Sequence, residues 1–571
     1  MRAFANHMFH GSHQLARLQH ALDMEDALDQ AEKQAERAKD PNRAKLMVNE
    51  MRRRHAFTMN PTGAPWSQKA TSIAFIWFLA WRPSAALANL AQTVVMGVPI
   101  LAAYEGKYRS MARASTELTK ALKDFAMGRG HAERSASLTH EEREAMAEAY
   151  ESGVIDRTQS HDLAGLSETG IKYRPGPAMA MEVISWSFHH TERLNREITY
   201  LAAYRMARQK GEGHQQAMET AGDLTWTIHF NYTNTARPRF MQSDAAKAFL
   251  VFRNFQVNML ARLIRDTHQA FKGRSAAERK QARIQLIGVT GMMLLSAGIT
   301  GTWGYGLTMA AARAIAALMG SDDDPEEEFK NGVRATLGQR LGNAALEGVP
   351  GATLGISLSE RIGMPDLWFR SPDRELEGRP AWEYYAVQSM GATVALGGNI
   401  WAGYDQAVNE GQAWRGLETA APNFLKDPMR LWRYATEGAQ TLKGDPVKED
   451  FSSLELFYQA LGFTPAELAR QYEFNSAAKA KEKRIQDRRQ GILVDYDKAM
   501  RAGESTSAIE ARLASFNEAH PGWAISAKDV RQSMRSRARR KAEMRNGIHV
   551  NPKIASELGF ADAANDDAGD E

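Results

Sequence analysis

The sequence predicts an all-α fold, an elongated multi-helix assembly of long amphipathic helices with one to three apolar, membrane-competent segments. Three observations predict it: apolar residues recur at helical spacing, strand-like alternation is nearly absent, and Pro, Gly and capping residues stand where helices would end. The chain of 571 residues is too long for one compact core, so we expect several helical subdomains. Changes in composition along the chain predict five regions: an N-terminal helix and linker (1–65), a helical domain (66–275), an apolar central region with an acidic loop (276–405), a helical C-terminal region (406–500), and a basic helix with an acidic tail (501–571).

The overall composition excludes several classes of protein. Mean hydropathy is −0.46, so the chain is not a polytopic membrane protein, and membrane-seeking surface must be concentrated in a few segments. The net charge of +4 does not by itself predict nucleic-acid binding, which needs a clustered basic face. The absence of cysteine excludes disulfides, Cys-ligated metals and Cys nucleophiles. Residues 1–20 lack the apolar stretch of a secretory signal.

The N-terminal segment is predicted to be an amphipathic helix followed by a linker. The helix covers residues 13–39 and is stopped by Pro41, because proline cannot continue the hydrogen-bond ladder. A basic stretch follows at 51–55. Turn-forming residues then indicate a loop: Pro61, Gly63 and Pro65.

The first apolar segment, residues 71–104, is interrupted by Arg82 and Pro83. Its uncharged part, residues 83–104, contains Asn89, Gln92 and Pro99. These polar and helix-disturbing residues favour a helix buried in protein over one that faces lipid.

Two further helices are predicted in residues 175–273. Pro175 and Pro177 open the first, which runs to about Gln209 and contains the i,i+4 pairs Glu192/Arg196 and Arg193/Glu197. After a loop at 231–238, Ser243 or Asp244 caps the second, which ends near Gly273.

The second apolar segment, residues 284–312, is uncharged for 29 residues. A capping box, Ser275-Ala-Ala-Glu278, starts it, and an acidic loop at 322–328 follows it, with Pro325 at the start of the next helix. Its length suffices for a membrane span, and its glycines suit either close helix packing or a break near 301–306. A core helix of a bundle is the alternative. The residues expected to matter are the small Gly291, Gly298 and Gly301 and the flanking cations Arg279, Lys280 and Arg283.

A third uncharged stretch, residues 384–404, carries aromatic residues at its ends, including Trp401 and Tyr404. Aromatic residues are enriched at membrane interfaces. Gln388, Asn399 and several Gly and Ala residues argue against a simple single span.

Beyond residue 406 the chain becomes charged and amphipathic. Residues 475–500 and 528–545 are predicted to be basic helices, and residues 561–571 an acidic, disordered tail. The second basic helix has three interpretations: a solvated face, a contact with anionic lipid, or a contact with nucleic acid or another partner. The contact residues would be Arg535, Arg537, Arg539, Arg540 and Lys541.

Candidate sites for chemistry are few. His189, His190 and Glu192 could suggest a metal, but adjacent histidines point about 100° apart on a helix. The acidic loop at 322–328 lacks the spacing of a calcium-binding EF-hand loop. Phosphate loops, dinucleotide-binding glycine motifs and nucleophile elbows are absent. We therefore expect no catalytic residues, no cofactor and no metal, and a protein that is not an enzyme.

A succession of motifs in residues 237–490 resembles the C-terminal region of PLxRFG-domain, or large polyvalent, phage proteins. The motifs are Arg237-Pro-Arg-Phe240, Lys247-Ala-Phe-Leu-Val-Phe-Arg-Asn-Phe255 with Asn258, Asp366-Leu-Trp-Phe-Arg370, Pro372-Asp-Arg-Glu-Leu-Glu377, Trp414-Arg-Gly-Leu-Glu418, Lys426-Asp-Pro-Met429, Arg433-Tyr-Ala-Thr-Glu-Gly438, Lys443-Gly-Asp-Pro446 and Leu461-Gly-Phe-Thr-Pro465. The literal Pro-Leu-x-Arg-Phe-Gly is not present, nor are the enzymatic modules of longer relatives.

The resemblance implies an internal virion protein, similar in character to the DNA-ejection proteins of short-tailed phages. Such a protein would oligomerise, contact other ejection proteins and the portal, and enter the host inner membrane. Its basic C-terminal helix could make non-specific contact with DNA, or contact the portal. It would lie in the virion interior first and in the host envelope on infection. The alternatives are a soluble helical scaffold or portal-associated adaptor without membrane insertion and, third, an effector or enzyme-associated module delivered with the DNA.

Overall fold

The computed structural model describes residues 2–59, 65–155, 186–231, 237–250, 252–319, 321, 323–359, 391–441 and 444–542. The all-α prediction is confirmed. In these ranges the exceptions are a two-stranded antiparallel sheet, β1 (Ala439–Gln440) with β2 (Pro446–Lys448), and an isolated bridge between Ile356 and Pro465. The sequence pattern did not predict this small sheet, because strands of two and three residues are too short to show alternation.

The chain forms two compact units. One comprises residues 1–312 with 328–473, and the other residues 313–327 with 474–571. The second unit is therefore discontinuous in sequence.

The first unit begins with α1 (Arg2–Glu36), α2 (Pro41–Met59) and α3 (Pro65–Phe78). Lys45 bonds Glu36, and Arg52 bonds Glu32 and Asp29, so α1 and α2 pair as an antiparallel hairpin. Pro41 follows the first helix as predicted, and it also starts the next one, where a missing N–H has no cost.

The main core surrounds one nearly continuous helix formed by α4 (Pro83–Gln92), a π-helical turn (Thr93–Gly97) and α5 (Val98–Glu105). Ile100 and Leu101 lie fully buried on it. The helices that pack into this core include α6 (Ser110–Met127), α7 (His140–Glu151), α8 (Trp186–Gln209) and α9 (His214–His229). The predicted start of α8 at Pro175 and Pro177 lies outside the described residues.

Ion pairs and caps explain several elements at this core. Arg193 and Glu197 form their expected pair, with Nε 3.3 Å from Oε1. The Ala246 N–H donates to Ser243 Oγ at 3.3 Å, so the predicted cap is confirmed. The single helix predicted to follow is wrong: left-handed Phe252 (φ 67°) separates α10 (Asp244–Phe249) from α11 (Asn254–Lys272).

The central region contains α12 (Ala276–Ala297), α13 (Tyr305–Leu318), α14 (Pro325–Glu347) and α15 (Val349–Leu354). The Glu278 N–H donates to Ser275 Oγ at 3.0 Å, as the capping box predicts. The Glu278 carboxylate accepts from the N–H of Arg274, one residue earlier than expected. Pro325 begins α14 as predicted.

The rest of the first unit contains α16 (Gly391–Val408), α17 (Ala413–Ala420), α18 (Asn423–Thr436), α19 (Ser453–Ala460) and the start of α20 (Ala466–Ala502). Glu418 accepts hydrogen bonds from Arg430 and Arg433, which ties α17 to α18. Arg82 Nε donates to Asp427 Oδ2 at 2.9 Å and ties α18 to the start of α4.

The second unit packs the C-terminal part of α20 with α21 (Ser507–Ala519) and α22 (Ala527–Ala542). Five buried apolar residues form its core: Ile485, Ile492, Leu493, Phe516 and Ile525. Both predicted basic helices are present in the described residues. The predicted acidic tail lies outside them.

Candidate membrane and packing surfaces

In the described part of the chain, one helix is long and apolar enough to cross a membrane: Pro83–Glu105, of 23 residues. Half of its most apolar window is buried within the protein. Gln92 donates to the Ile228 carbonyl at 2.9 Å, and Thr93 donates to Asn195 Oδ1 at 2.7 Å. These contacts are typical of a core helix, which is what the polar residues of the segment predicted. Length and composition alone do not separate such a core helix from a membrane-spanning helix.

The segment 284–312 is two helices separated by a break, so the interpretation as a single uninterrupted helix is wrong. Gly298 has φ 71° and ψ −175°, a conformation that only glycine adopts readily, and it ends α12. A 3₁₀ turn, Ile299–Gly301, then leads towards α13. The break predicted near 301–306 begins three residues earlier, at Gly298.

Gly298 also allows two backbones to touch. A Cβ placed on it would lie 2.2 Å from the Leu346 carbonyl oxygen. The contact is reciprocal, since a Cβ on Gly348 would lie 2.5 Å from the Ser296 carbonyl oxygen. Any side chain at either position would push the end of α12 away from the junction of α14 and α15.

The three glycines selected from the sequence have different surroundings. Gly301 is buried in the 3₁₀ turn, and Gly291 faces open space, with nothing within 4 Å of a Cβ placed there. Gly288 makes the close helix contact instead, because a Cβ on it would lie 2.7 Å from both Pro99 Cβ and Met111 Cε. The segment 284–312 contains six glycines, and nothing in their spacing separates Gly288 from the others.

The cations before the segment cap the preceding helix. Arg279 Nη1 donates to the Gly273 carbonyl at 2.7 Å, and Arg283 Nε donates to the Ala270 carbonyl at 3.1 Å. Both carbonyls lie at the negative end of α11, where cations are favoured. Lys280 is exposed.

Helix α12 has apolar side chains on two faces. Ile284, Val289 and Met293 are buried, with Val289 and Met293 in the main core. On the other side Ile287 is 58% exposed and Leu295 is 56% exposed. Solvent-facing apolar area of this kind is typical of a surface that meets protein or lipid.

Helices α16 and α17 form a tightly packed hairpin. A Cβ on Gly403 would lie 2.5 Å from the Gly416 carbonyl oxygen, and a Cβ on Gly416 would lie 2.4 Å from that of Gly403. Ala407 and Ala420 each follow a glycine by four residues and line the same contact. This small-xxx-small pattern on both helices is the arrangement that lets helices associate in a bilayer.

The outward face of this hairpin is apolar and aromatic. Trp401 is 71% exposed and Leu417 is 60% exposed, and Tyr404, Val408 and Trp414 are also exposed. Of the third uncharged stretch, residues 384–390 lie outside the described residues and 391–404 belong to α16. The aromatic residues predicted for an interface are therefore displayed on the surface.

The candidate metal residues considered in the sequence do not form a metal-binding cluster in the described residues. No group of three or more His, Asp or Glu side chains there could hold a metal ion. The rings of His189 and His190 are 5.7 Å apart, and burial and nearby Arg193 lower the pKa of His190. In the acidic loop, Arg313 bonds Asp324 and Glu326.

Two buried ionisable groups in the main core, Glu197 and His229, have hydrogen-bond partners. Burial raises the pKa of Glu197, and its carboxylate accepts from Tyr150 and from the Ala132 N–H. Burial also lowers the pKa of His229 well below its usual value, and His229 bonds Thr199 at 2.8 Å. These interactions hold α8 against its neighbours.

The basic residues of α22 do not share one environment. Arg535, Arg539, Arg540 and Lys541 are exposed, whereas Arg537 is half-buried and donates to Ser533 Oγ at 3.3 Å.

No family model matches the chain, and no curated protein or solved structure is significantly similar to it. The resemblance to PLxRFG-domain phage proteins therefore stays a prediction, supported by its motifs.

Proposed function

We propose that this chain is a phage internal virion protein that oligomerises and helps to form a conduit for genome delivery across the host envelope. The observation that carries the proposal is the exposed apolar surface of the α16–α17 hairpin, with a second exposed apolar face on α12. The motif resemblance supplies the phage context, and it implies the portal and other ejection proteins as partners.

The energetic argument rests on large apolar side chains in water. Removing a Leu or aromatic side chain from water is worth roughly 1.5–3 kcal/mol. Trp401 and Leu417 alone would therefore contribute on the order of 3 kcal/mol to burial in lipid or against another copy. A surface with several such residues favours association.

The internal packing of the hairpin suits it to lipid. Helices in a bilayer gain little from the hydrophobic effect between them and depend on close packing and internal hydrogen bonds. Gly403 and Gly416 provide the close packing, and Thr419 donates to Gln406 at 2.7 Å within the hairpin. The hairpin would thus keep its own contacts when its outer face enters a membrane.

Vesicle flotation of the full-length protein tests this proposal. Trp401→Gln with Leu417→Gln should lower partitioning into anionic vesicles about a hundredfold, from the roughly 3 kcal/mol above. Leu46→Gln with Met47→Gln, at exposed positions on α2, is the matched control and should float like the wild type. Membrane entry by the hairpin would be contradicted if both double variants lost the same amount of vesicle binding, or if the wild-type protein did not float with the vesicles.

A soluble helical scaffold or portal-associated adaptor is the second candidate. It is favoured by the burial of Pro83–Glu105 in the main core and by the break at Gly298. In that case the same apolar faces would meet other copies of the chain, and light scattering would show oligomers without flotation. Mass spectrometry of purified virions tests both candidates, since absence from particles would refute each.

A further inference from the structure

The helical stretch 474–542 of the second unit carries a basic charge that the net charge of the whole chain conceals. Residues 474–542 contain 16 Lys and Arg against 8 Asp and Glu, a net charge of +8, whereas the full chain has +4. The excess is concentrated in α22, whose only acid is Asp529.

The rotation of α22 about its axis is determined by its contacts. Val530 packs against the apolar core of the unit, and Met534 and Arg537, four and seven residues later, are half-buried on the same side. At its start Asp529 accepts from the Ser526 N–H at 2.9 Å and pairs with Arg489 of α20 at 3.3 Å. The single acidic residue of α22 is therefore already bonded within the unit, at the N-terminal end of the helix.

The opposite side of α22 is a continuous basic stripe. Lys528, Arg531, Arg535 and Arg539 are all exposed. Their spacing of three, four and four residues places them on one face of a helix, over a length of about 16 Å at 1.5 Å per residue. The stripe includes Lys528 and Arg531, which the sequence prediction omitted, and excludes the half-buried Arg537.

We infer that this stripe binds the phosphate backbone of double-stranded nucleic acid. Regularly spaced cations on a rigid helix are complementary to a regular row of phosphates. A lipid surface fits less well, because a membrane-bound basic helix needs an exposed apolar face, and the apolar side of α22 is packed inside the unit. Single strands fit less well too, since α22 has no aromatic residue for base stacking.

The inference concerns the second unit and does not depend on membrane entry by the hairpin. Four phosphate contacts predict that the logarithm of the affinity falls with the logarithm of salt concentration with a slope of about −3.6. Affinity should therefore fall about a hundredfold between 50 and 200 mM salt.

The test measures binding of the full-length protein to a 30-base-pair duplex of arbitrary sequence by fluorescence anisotropy. The triple variant Lys528→Gln, Arg531→Gln and Arg535→Gln should bind at least tenfold more weakly at 0.1 M salt. Its salt slope should be smaller in magnitude by about 2.7. Glutamine is a good helix former, and circular dichroism checks that α22 persists.

A charge-matched control separates the stripe from net charge. Lys479→Gln, Lys483→Gln and Lys498→Gln remove the same charge from exposed positions on α20 and should leave binding within about threefold. The inference would be overturned if both variants lost the same amount of duplex affinity, or if the stripe variant bound the duplex as tightly as the wild type. Stripe-dependent binding to phosphatidylserine vesicles without duplex binding would overturn it in favour of lipid.

Discussion

Replacing Gly403 by alanine tests the packing of the α16–α17 hairpin. The new Cβ would lie 2.5 Å from the Gly416 carbonyl oxygen and 2.7 Å from Ala420 Cβ. Ordinary contacts begin near 3.4 Å, so the two helices must separate by about 0.9 Å. Overpacking of this kind costs about 1–3 kcal/mol, partly offset by the 0.5–1 kcal/mol that alanine gains over glycine in a helix.

Gly397→Ala is the matched control, because Gly397 lies on the same helix with nothing within 4 Å of a Cβ. This substitution should gain only the higher helix propensity of alanine and stabilise the protein by about 0.5–1 kcal/mol. Urea unfolding followed by tryptophan fluorescence and circular dichroism measures both variants. We expect Gly403→Ala to be about 1–3 kcal/mol less stable than Gly397→Ala. Equal stabilities would refute the close contact between the helices.

Three further predictions concern the first unit. Gly298→Ala should destabilise by about 1–3 kcal/mol in urea unfolding, because of its backbone conformation and its contact with α14, whereas Gly291→Ala should be neutral or stabilising. Burial keeps His229 neutral in the fold, so the unfolded chain binds more protons below about pH 6.5 and stability should fall as pH drops from 7 to 5. That fall should shrink in a melting series of His229→Gln, and an unchanged pH profile would contradict the assignment. Arg82→Ala should cost on the order of 3 kcal/mol by leaving buried Asp427 unpaired, and a double-mutant cycle with Asp427→Asn should show strong coupling.

Local features of the fold could be predicted from the sequence because their causes are local. Ser243 caps α10 through an N–H three residues ahead, and Pro325 starts α14 because its missing N–H is not needed there. The Arg193–Glu197 pair follows from helical spacing alone. None of these features depends on how distant segments meet.

Contacts between segments that are far apart in the sequence could not be predicted from local sequence patterns. Gly298 lies against Leu346, and Gly348 lies against Ser296, in both cases across about 50 residues of sequence. Gly403 and Gly416 touch between two neighbouring helices. No short window of sequence therefore shows which glycines make close contacts. The interruption at Phe252 likewise carries no proline or glycine to predict it. For the basic helix, charge could be predicted from the sequence, but which arginines face outward required the position of Val530 in the core.

The discontinuity of the second unit imposes an order on synthesis. Its first piece, residues 313–327, leaves the ribosome before the 146 residues at 328–473, which belong to the other unit. At 5–20 residues per second its partners follow about 7–30 s later. During that interval Asp323 has been synthesised but Lys481, with which it pairs at 2.6 Å in the folded protein, has not. A nascent chain therefore holds an acidic segment without its basic partners, and the second unit is completed only when the first has been fully translated.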